Sequence, residues 1–329
     1  MSNFVEGTAP APAVPTGLAA GTPTSSTIPL TWNGVSGAGG YYVWKGGALV
    51  VDTPAGPSGK VADFAIENEL LASTTDFGTG IGSYSLSLWY SAPDNTAAYR
   101  QLWYKGGQAE FMIDAYGNSI RVYLSRGYNG PAASLNMAAL GIDPTGWHHV
   151  VATYDSATKI TKTYHNGVLK ATSDADTLPN NQGSSAMNIG GQYGPLAPFK
   201  TANYGIFSSA LTLAEVESLY NSGIGKRYAD LTTAEKISLI SYWNMDETAG
   251  TRYDAHGAND LTDTNTVVGV TNSGAYTLTG LTGETAYSAQ VSSHDANWQS
   301  EKCAAVTATT LSTLLDGLVA YWHLDGGTP

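Results

Sequence analysis

Along most of this chain apolar and polar residues alternate in short runs, the two-residue period of strands that bury one face. The run SYSLSLWY at 83–90 is the strictest case, with Tyr84, Leu86, Leu88 and Tyr90 on one face and Ser85, Ser87 and Trp89 on the other. It predicts a half-buried strand. TIPLTWNGV (27–35) and GGYYVWKGGALVVD (39–52) are shorter runs of β-branched and aromatic residues separated by a Gly-rich turn. The same texture returns in YTLTGLTGETAYSAQVSSHD (276–295) and KCAAVTATTL (302–311), so the two ends resemble each other and the middle does not. That pattern predicts one domain inserted in another.

Two stretches predict tight hairpins. AEFMIDAYGNSIRVYLS (109–125) folds about Tyr116, Gly117 and Asn118, and KITKTYHNGVLKATS (159–173) folds about Asn166 and Gly167. Asn-Gly is the pair whose positive φ angles suit a type I′ turn. Helical spacing is confined to short pieces. In LTLAEVESLYNSG (211–223), Thr212 stands three residues before Glu215 as a capping box, Leu213, Val216 and Leu219 or Tyr220 share a face, and Gly223 ends the run. LTTAEKISLIS (231–241) repeats the device with Thr232 and Glu235.

Composition strengthens the all-β expectation: 13% of residues are charged, and 38 glycines and 20 tyrosines suit strands joined by tight turns. At 329 residues the chain is long enough for two or three domains. The net charge of −12, with no cluster of Lys and Arg, argues against a nucleic-acid partner and against adhesion to anionic membranes. No apolar stretch approaches the length of a membrane span. The lone Cys303 excludes an intrachain disulfide and reads as a small buried strand residue. The start MSNFVEGTAPAPAVPTG has neither a basic region nor an apolar run, so it is not read as a secretory signal, and its Pro-rich part predicts an extended strap.

Three sets of residues carry a family resemblance. Pro15, Gly17, Leu18, Leu30, Trp32, Tyr41, Tyr42 and Val43, followed much later by LTGETAY (281–287) with Tyr287 as a tyrosine corner, resemble the two halves of a fibronectin type III module. KVADFAIENELLAS, SYSLSLWY, GWHHVVATYD, TKTYHNGVLKAT, AMNIGGQY and YGIFSSALTLAEVESLYNSG resemble a laminin G-like, concanavalin A-like jelly roll. SYWNMDETAGTRYDAHGANDLTDTNTV (241–267) resembles that family's opening strand but follows its closing one, so the resemblance implies a circular permutation. The implied organisation is an N-terminal strap (1–11), a fibronectin-like first half (12–54), the jelly roll (55–266), a fibronectin-like second half (267–311) and a C-terminal strand or tail (312–329), with one or two short helices.

Candidate chemistry is sparse. A glucanase-type pair of carboxylates stands about 5 to 9 Å apart on a cleft-facing strand. Glu67 and Glu69 share a strand face, but the resemblance makes that strand an edge with polar residues outward. Asp246 and Glu247 are adjacent and diverge. No GxSxG, HExxH, phosphate loop or cysteine cluster occurs, so no enzyme is expected. His148 and His149 point to opposite faces and read as part of a structural strand. The jelly-roll resemblance makes Ca2+ the candidate cofactor, with Asp76, Asp94, Asp114 and Asp254 as ligands at turns or strand ends, although the acidic pair that relatives place before the helix is Ala202 and Asn203 here. For sugar, the candidates are Trp103, Tyr116, Tyr128 and Tyr193, aromatics in or near Gly- and Asn-rich segments.

LVAYWHLDGG (318–327) repeats the pattern of LISYWNMDE (239–247). It reads either as the stub of a lost repeat or as an assembly strand, through Val319, Tyr321, Trp322 and Leu324, that packs on this chain or on a neighbouring subunit. The two module types with no secretory signal lead to a non-enzymatic virion structural or adhesion protein: a phage tail, fibre or head decoration. Other virion proteins, copies of itself or a host-surface glycan are the expected partners. The rival is a secreted bacterial adhesin or carbohydrate-binding module at the cell surface.

Overall fold

The computed structural model describes residues 11–312 except 36–37, 58, 67, 76, 78–81, 95–96, 106–110, 125–129, 177–185, 192–196 and 296. The first strands are β1 (Ala19–Ala20), β2 (Ile28–Asn33), β3 (Gly40–Lys45) and β4 (Ala48–Pro54). There follow β5 (Lys60–Phe64), β6 (Leu70–Ser73), β7 (Tyr84–Ala92), β8 (Tyr99–Lys105), β9 (Phe111–Tyr116), β10 (Ser119–Tyr123) and β11 (Leu135–Asn136). Next come β12 (Gly146–Asp155), β13 (Ile160–His165), β14 (Val168–Thr172), β15 (Met187–Gly190) and β16 (Phe199–Phe207). Helix α1 (Leu213–Tyr220) precedes β17 (Leu239–Trp243), β18 (Thr262–Thr264), β19 (Val268–Thr271), β20 (Ser273–Leu278), β21 (Ala286–His294) and β22 (Val306–Thr309).

These strands form two sandwiches. A three-stranded sheet, β1-β2-β20, faces a four-stranded sheet, β22-β21-β3-β4, across a core that includes Ile28, Leu30, Trp32, Tyr41, Val43, Leu278 and Val291. Both ends of the chain supply it. The larger sandwich stacks a seven-stranded sheet, β11-β10-β9-β8-β15-β6-β18, on an eight-stranded one, β14-β13-β12-β7-β16-β5-β19 with β17 beside β16. The chain passes from one sandwich to the other between β4 and β5 and returns at Asn272, between β19 and β20. Among the described residues no helix is long and apolar enough to cross a membrane.

Local chemistry explains the turns. Asn166 and Gly167 adopt φ of 49° and 79°, both left-handed as a type I′ turn requires, and Gly117 turns the β9–β10 hairpin at φ 53°. Thr212 and Glu215 form the capping box of α1, but the helix ends earlier than the glycine suggested, on Asn221 in the left-handed region at φ 49°. Thr232 and Glu235 also exchange their capping bonds, yet the segment stays a turn. Glu235 is drawn to Lys226 at 2.6 Å, and the chain must extend into β17 two residues after Ile237.

Strand β7 corrects the half-buried expectation: it is covered on both faces. Leu86, Leu88 and Tyr90 lie in the main core. On the other face Ser85 Oγ donates to Ser209 O and accepts from Leu211 N, while Trp89 stacks on His149 and on Tyr220 at the end of α1. The small serines let the segment leading into the helix approach the sheet. Glu69 is a second correction. It lies between β5 and β6 rather than on an edge strand, and its buried carboxylate accepts from Ala65 N (2.5 Å) and Ile66 N (2.9 Å). Cys303 is buried as expected but precedes β22, where its Sγ accepts from Val291 N.

Two tyrosine hydroxyls tie loops of the smaller sandwich to its strands. Tyr287 Oη accepts from Thr282 N at 2.9 Å, within the LTGETAY turn, and Tyr41 Oη accepts from Val35 N at 2.7 Å. Tyr41 is buried against Trp32, so Tyr41→Phe keeps the packing and loses one bond; a drop of about 1 kcal/mol in urea unfolding is expected. Glu67, Asp76, Tyr128, Tyr193, nearly all of the predicted strap and the proposed assembly residues Val319, Tyr321, Trp322 and Leu324 lie outside the described residues.

Candidate functional site

The outer face of the seven-stranded sheet brings a polar and aromatic cluster to the surface. Strands β9 and β10 point Ile113, Ala115, Ile120 and Val122 into the core, so their alternate residues Asp114, Tyr116, Ser119 and Arg121 face outward. The hairpin register sets Arg121 opposite Asp114 and Ser119 opposite Tyr116, and β8 adds Tyr99 beside Tyr116 and Gln101 beside Asp114.

Arg121 organises this face. Its Nε donates to Asp114 Oδ1 at 2.7 Å and its Nη2 to Oδ2 at 2.5 Å, a bidentate pair. The guanidinium carbon lies 5.0 Å from the Tyr99 ring centroid and 5.6 Å from that of Tyr116, and the two rings are 4.8 Å apart at 46°. Tyr116 is 37% exposed, whereas Asp114 beneath is 2% exposed. Burial pushes the Asp114 carboxyl above its usual range, and the hydrogen bonds and charge of Arg121 pull against that. The result is a held aromatic surface beside a stacked guanidinium. Such a surface offers C–H-complementary faces next to hydroxyl and N–H groups, which is what a sugar ring requires.

The other aromatic and acidic candidates among the described residues have other roles. A bulge between Gln101 and Trp103 interrupts the alternation of β8, so Leu102 and Trp103 both enter the core; Trp103 is fully buried against Tyr204 and Phe111 and is corrected from ligand contact to packing. Asp94 pairs with the buried Arg100 at 2.6 Å. Asp254 accepts from Tyr242 N, His256 N and Asn259 N, so it organises the loop between β17 and β18. Burial would raise its carboxyl, but the backbone bonds together hold it below the usual range. Asp114 is committed to Arg121. Among the described residues no group of three or more His, Cys, Asp or Glu is placed to hold a metal ion.

The remaining described carboxylate candidates are also engaged. Asp246 forms an ion pair with Arg227, and Glu247 accepts from Tyr253 N at 2.8 Å. His148 and His149 diverge as strand neighbours must. His148 Nδ1 meets His165 Nε2 at 3.0 Å, and His149 Nε2 meets Ser87 Oγ at 3.0 Å. Burial lowers the three imidazoles to about 4 for His148, about 3 for His149 and about 2 for His165, so all are neutral at pH 7. His148 and His165 border a crevice of about 230 Å³ where the two sandwiches meet, together with Asp52, Asp143, Trp147 and Tyr276.

Sequence reading found Tyr116 and Asp114 but missed Tyr99 and Arg121. Counting outward from the Gly117 turn would have set Arg121 opposite Asp114. No comparable local signal leads to Tyr99, because its strand carries a bulge before it joins the hairpin.

Residues 65–217, just under half of the chain, match the laminin G-type family described as the concanavalin A-like lectin/glucanases superfamily, and this segment is a domain of that kind. The chain is also similar to solved structures. One is a candidate carbohydrate-binding protein from Bacteroides ovatus, with 19% identity, 74% of this chain and 68% of that one covered, and a TM-score of 0.47. Another is the binding domain of botulinum neurotoxin serotype D, with 16% identity, 55% and 50% covered, and a TM-score of 0.37. A third is the binding domain of Paraclostridial Mosquitocidal Protein 1, with 15% identity, 64% and 47% covered, and a TM-score of 0.36.

Proposed function

We propose that this protein is a non-catalytic structural and adhesion protein whose concanavalin A-like domain contacts glycan through the outer face of its seven-stranded sheet. The observation that carries this reading is the surface formed by Tyr99, Tyr116 and Arg121, held from below by Asp114. Membership of residues 65–217 in a lectin and glucanase superfamily supports it. The non-catalytic part rests on Glu69, Asp246 and Glu247, which are occupied by backbone N–H groups or arginine rather than turned together into a cleft.

The setting we favour is a virion surface, as a phage tail, fibre or head decoration. The smaller sandwich then serves as a fibronectin type III-like spacer, interrupted after β4 by the jelly roll, with halves at 12–54 and 267–311. Its sheet orders and the Tyr287 corner support that description. A fixed copy number in purified particles tests the setting; recovery from culture fluid without particles would favour the secreted adhesin or carbohydrate-binding module instead.

Glycan contact is tested by array screening of the full chain, followed by titration of the best ligand. Tyr116→Ala removes an exposed ring and is expected to weaken binding by about tenfold, the scale of one stacked aromatic. An array without any saturable ligand would overturn the glycan reading.

A further inference from the structure

We infer that the Tyr99, Tyr116 and Arg121 face selects neutral sugars and discriminates against sugars that carry a carboxylate or sulfate; this rests on the glycan reading above. An arginine on a lectin-like surface ordinarily suggests the opposite, because a guanidinium fork matches a carboxylate in a two-point contact. Here the Nε–Nη2 edge of that fork is taken. Nε and Nη2 of Arg121 already engage both oxygens of Asp114, at 2.7 and 2.5 Å.

The pairing resists displacement. Asp114 is 2% exposed, and a ligand carboxylate that drew Arg121 away would leave a buried anion without its cation. Packing against two rings also fixes the guanidinium, 5.0 Å from Tyr99 and 5.6 Å from Tyr116. The neighbouring cation Arg100 is paired too, with Asp94 at 2.6 Å, and is buried, so it gives a ligand anion no alternative partner. The whole chain carries −12, so the long-range field repels anions as well. What the face offers is ring surface, the flat of a compensated guanidinium, and the Tyr99 and Tyr116 hydroxyls. Those groups complement the C–H patches and hydroxyls of a neutral pyranose.

The experiment compares neutral hexose oligosaccharides with uronate-terminated, sialylated and sulfated ones on the full chain, at about 50 mM and about 500 mM salt. Neutral ligands are expected to bind at least about tenfold more tightly than acidic ones, with little change between the two salt concentrations. Asp114→Asn keeps the shape and a carbonyl acceptor for Arg121 but removes the compensating charge. It is expected to shift the ratio of acidic to neutral affinity toward acidic ligands by about tenfold, and the gain should vanish at high salt. Wild-type preference for acidic sugars would overturn this inference and leave the glycan reading standing. Binding of neither class would overturn both. The wild-type comparison decides the matter even if the variant fails to fold.

Discussion

Acidification from pH 7 toward pH 4 is expected to remove most of the folding stability of this protein. His148, His149 and His165 are buried and neutral, with imidazoles lowered to about 4, about 3 and about 2, against about 6.5 in an unfolded chain. Above pH 6.5 neither state binds these protons and the stability is fully present. As the pH falls below 6.5 the unfolded chain takes them up first, so stability is lost until the folded-state values are reached. Each group removes up to about 1.4 kcal/mol per pH unit, and three together up to about 4 kcal/mol per unit over the upper part of that window. Over two units that reaches up to about 8 kcal/mol, a large share of the about 5 to 15 kcal/mol that a folded domain has in total.

One histidine opposes the trend. Asp52 accepts from His294 at 2.7 Å and raises its imidazole, so that pair stabilises below the unfolded value and fades as the pH rises through the folded one. His294 is a single, partly exposed group; the carboxyls that burial raises, Asp63, Glu69 and Asp114, also oppose the trend as the pH approaches the carboxylate range, against three buried imidazoles that all lose stability from pH 6.5 downward. Urea midpoints measured between pH 7.5 and 4 should therefore fall steeply below pH 6.5. A flat profile down to pH 4.5 would refute the account. His149→Phe, whose ring can occupy the stack with Trp89 and Tyr220, should reduce the slope by about a third.

Asn272→Ala should be the most damaging small substitution at the seam between the sandwiches. The Asn272 Oδ1 accepts from Trp147 Nε1 at 2.8 Å, and its Nδ2 donates to Ala55 O at 3.1 Å and Pro57 O at 2.8 Å. One side chain thus links the β12 tryptophan of the larger sandwich to both chain crossings. Alanine would leave a buried indole N–H and two carbonyls without these partners, at about 1 kcal/mol or more each, for a total of about 3 to 4 kcal/mol. Gly56 lies in the same junction at φ 71°, where an added Cβ would stand 2.3 Å from the Trp147 ring, so the seam has little room to repack. Calorimetry should show a lower unfolding temperature and a separation of one transition into two. A loss under about 1 kcal/mol would mean that water replaces all three bonds.

How much of this could be read in advance depended on range. The β9–β10 and β13–β14 hairpins, the Thr212 cap of α1 and the Tyr287 corner each involve residues a few positions apart, so their bonds are specified by neighbours in sequence. The site was only half legible for the same reason. Tyr116 and Asp114 belong to a hairpin that sequence reading located, while Tyr99 reaches them by a separate strand.

Alternation misled where the chain broke its own period or was covered twice. The bulge after Gln101 turned Trp103 inward, and α1 buried the second face of β7. The sequence by itself determined an all-β chain, its tight turns and its capped helix, because each is written in local period or turn chemistry; the concanavalin A-like segment was legible through its resemblance to that family. Only the tertiary structure decided which aromatics are surface and which are core, that the guanidinium of Arg121 is already compensated, and that Asn272 joins the sandwiches. Those outcomes depend on pairings between residues far apart in the chain, which no local pattern records.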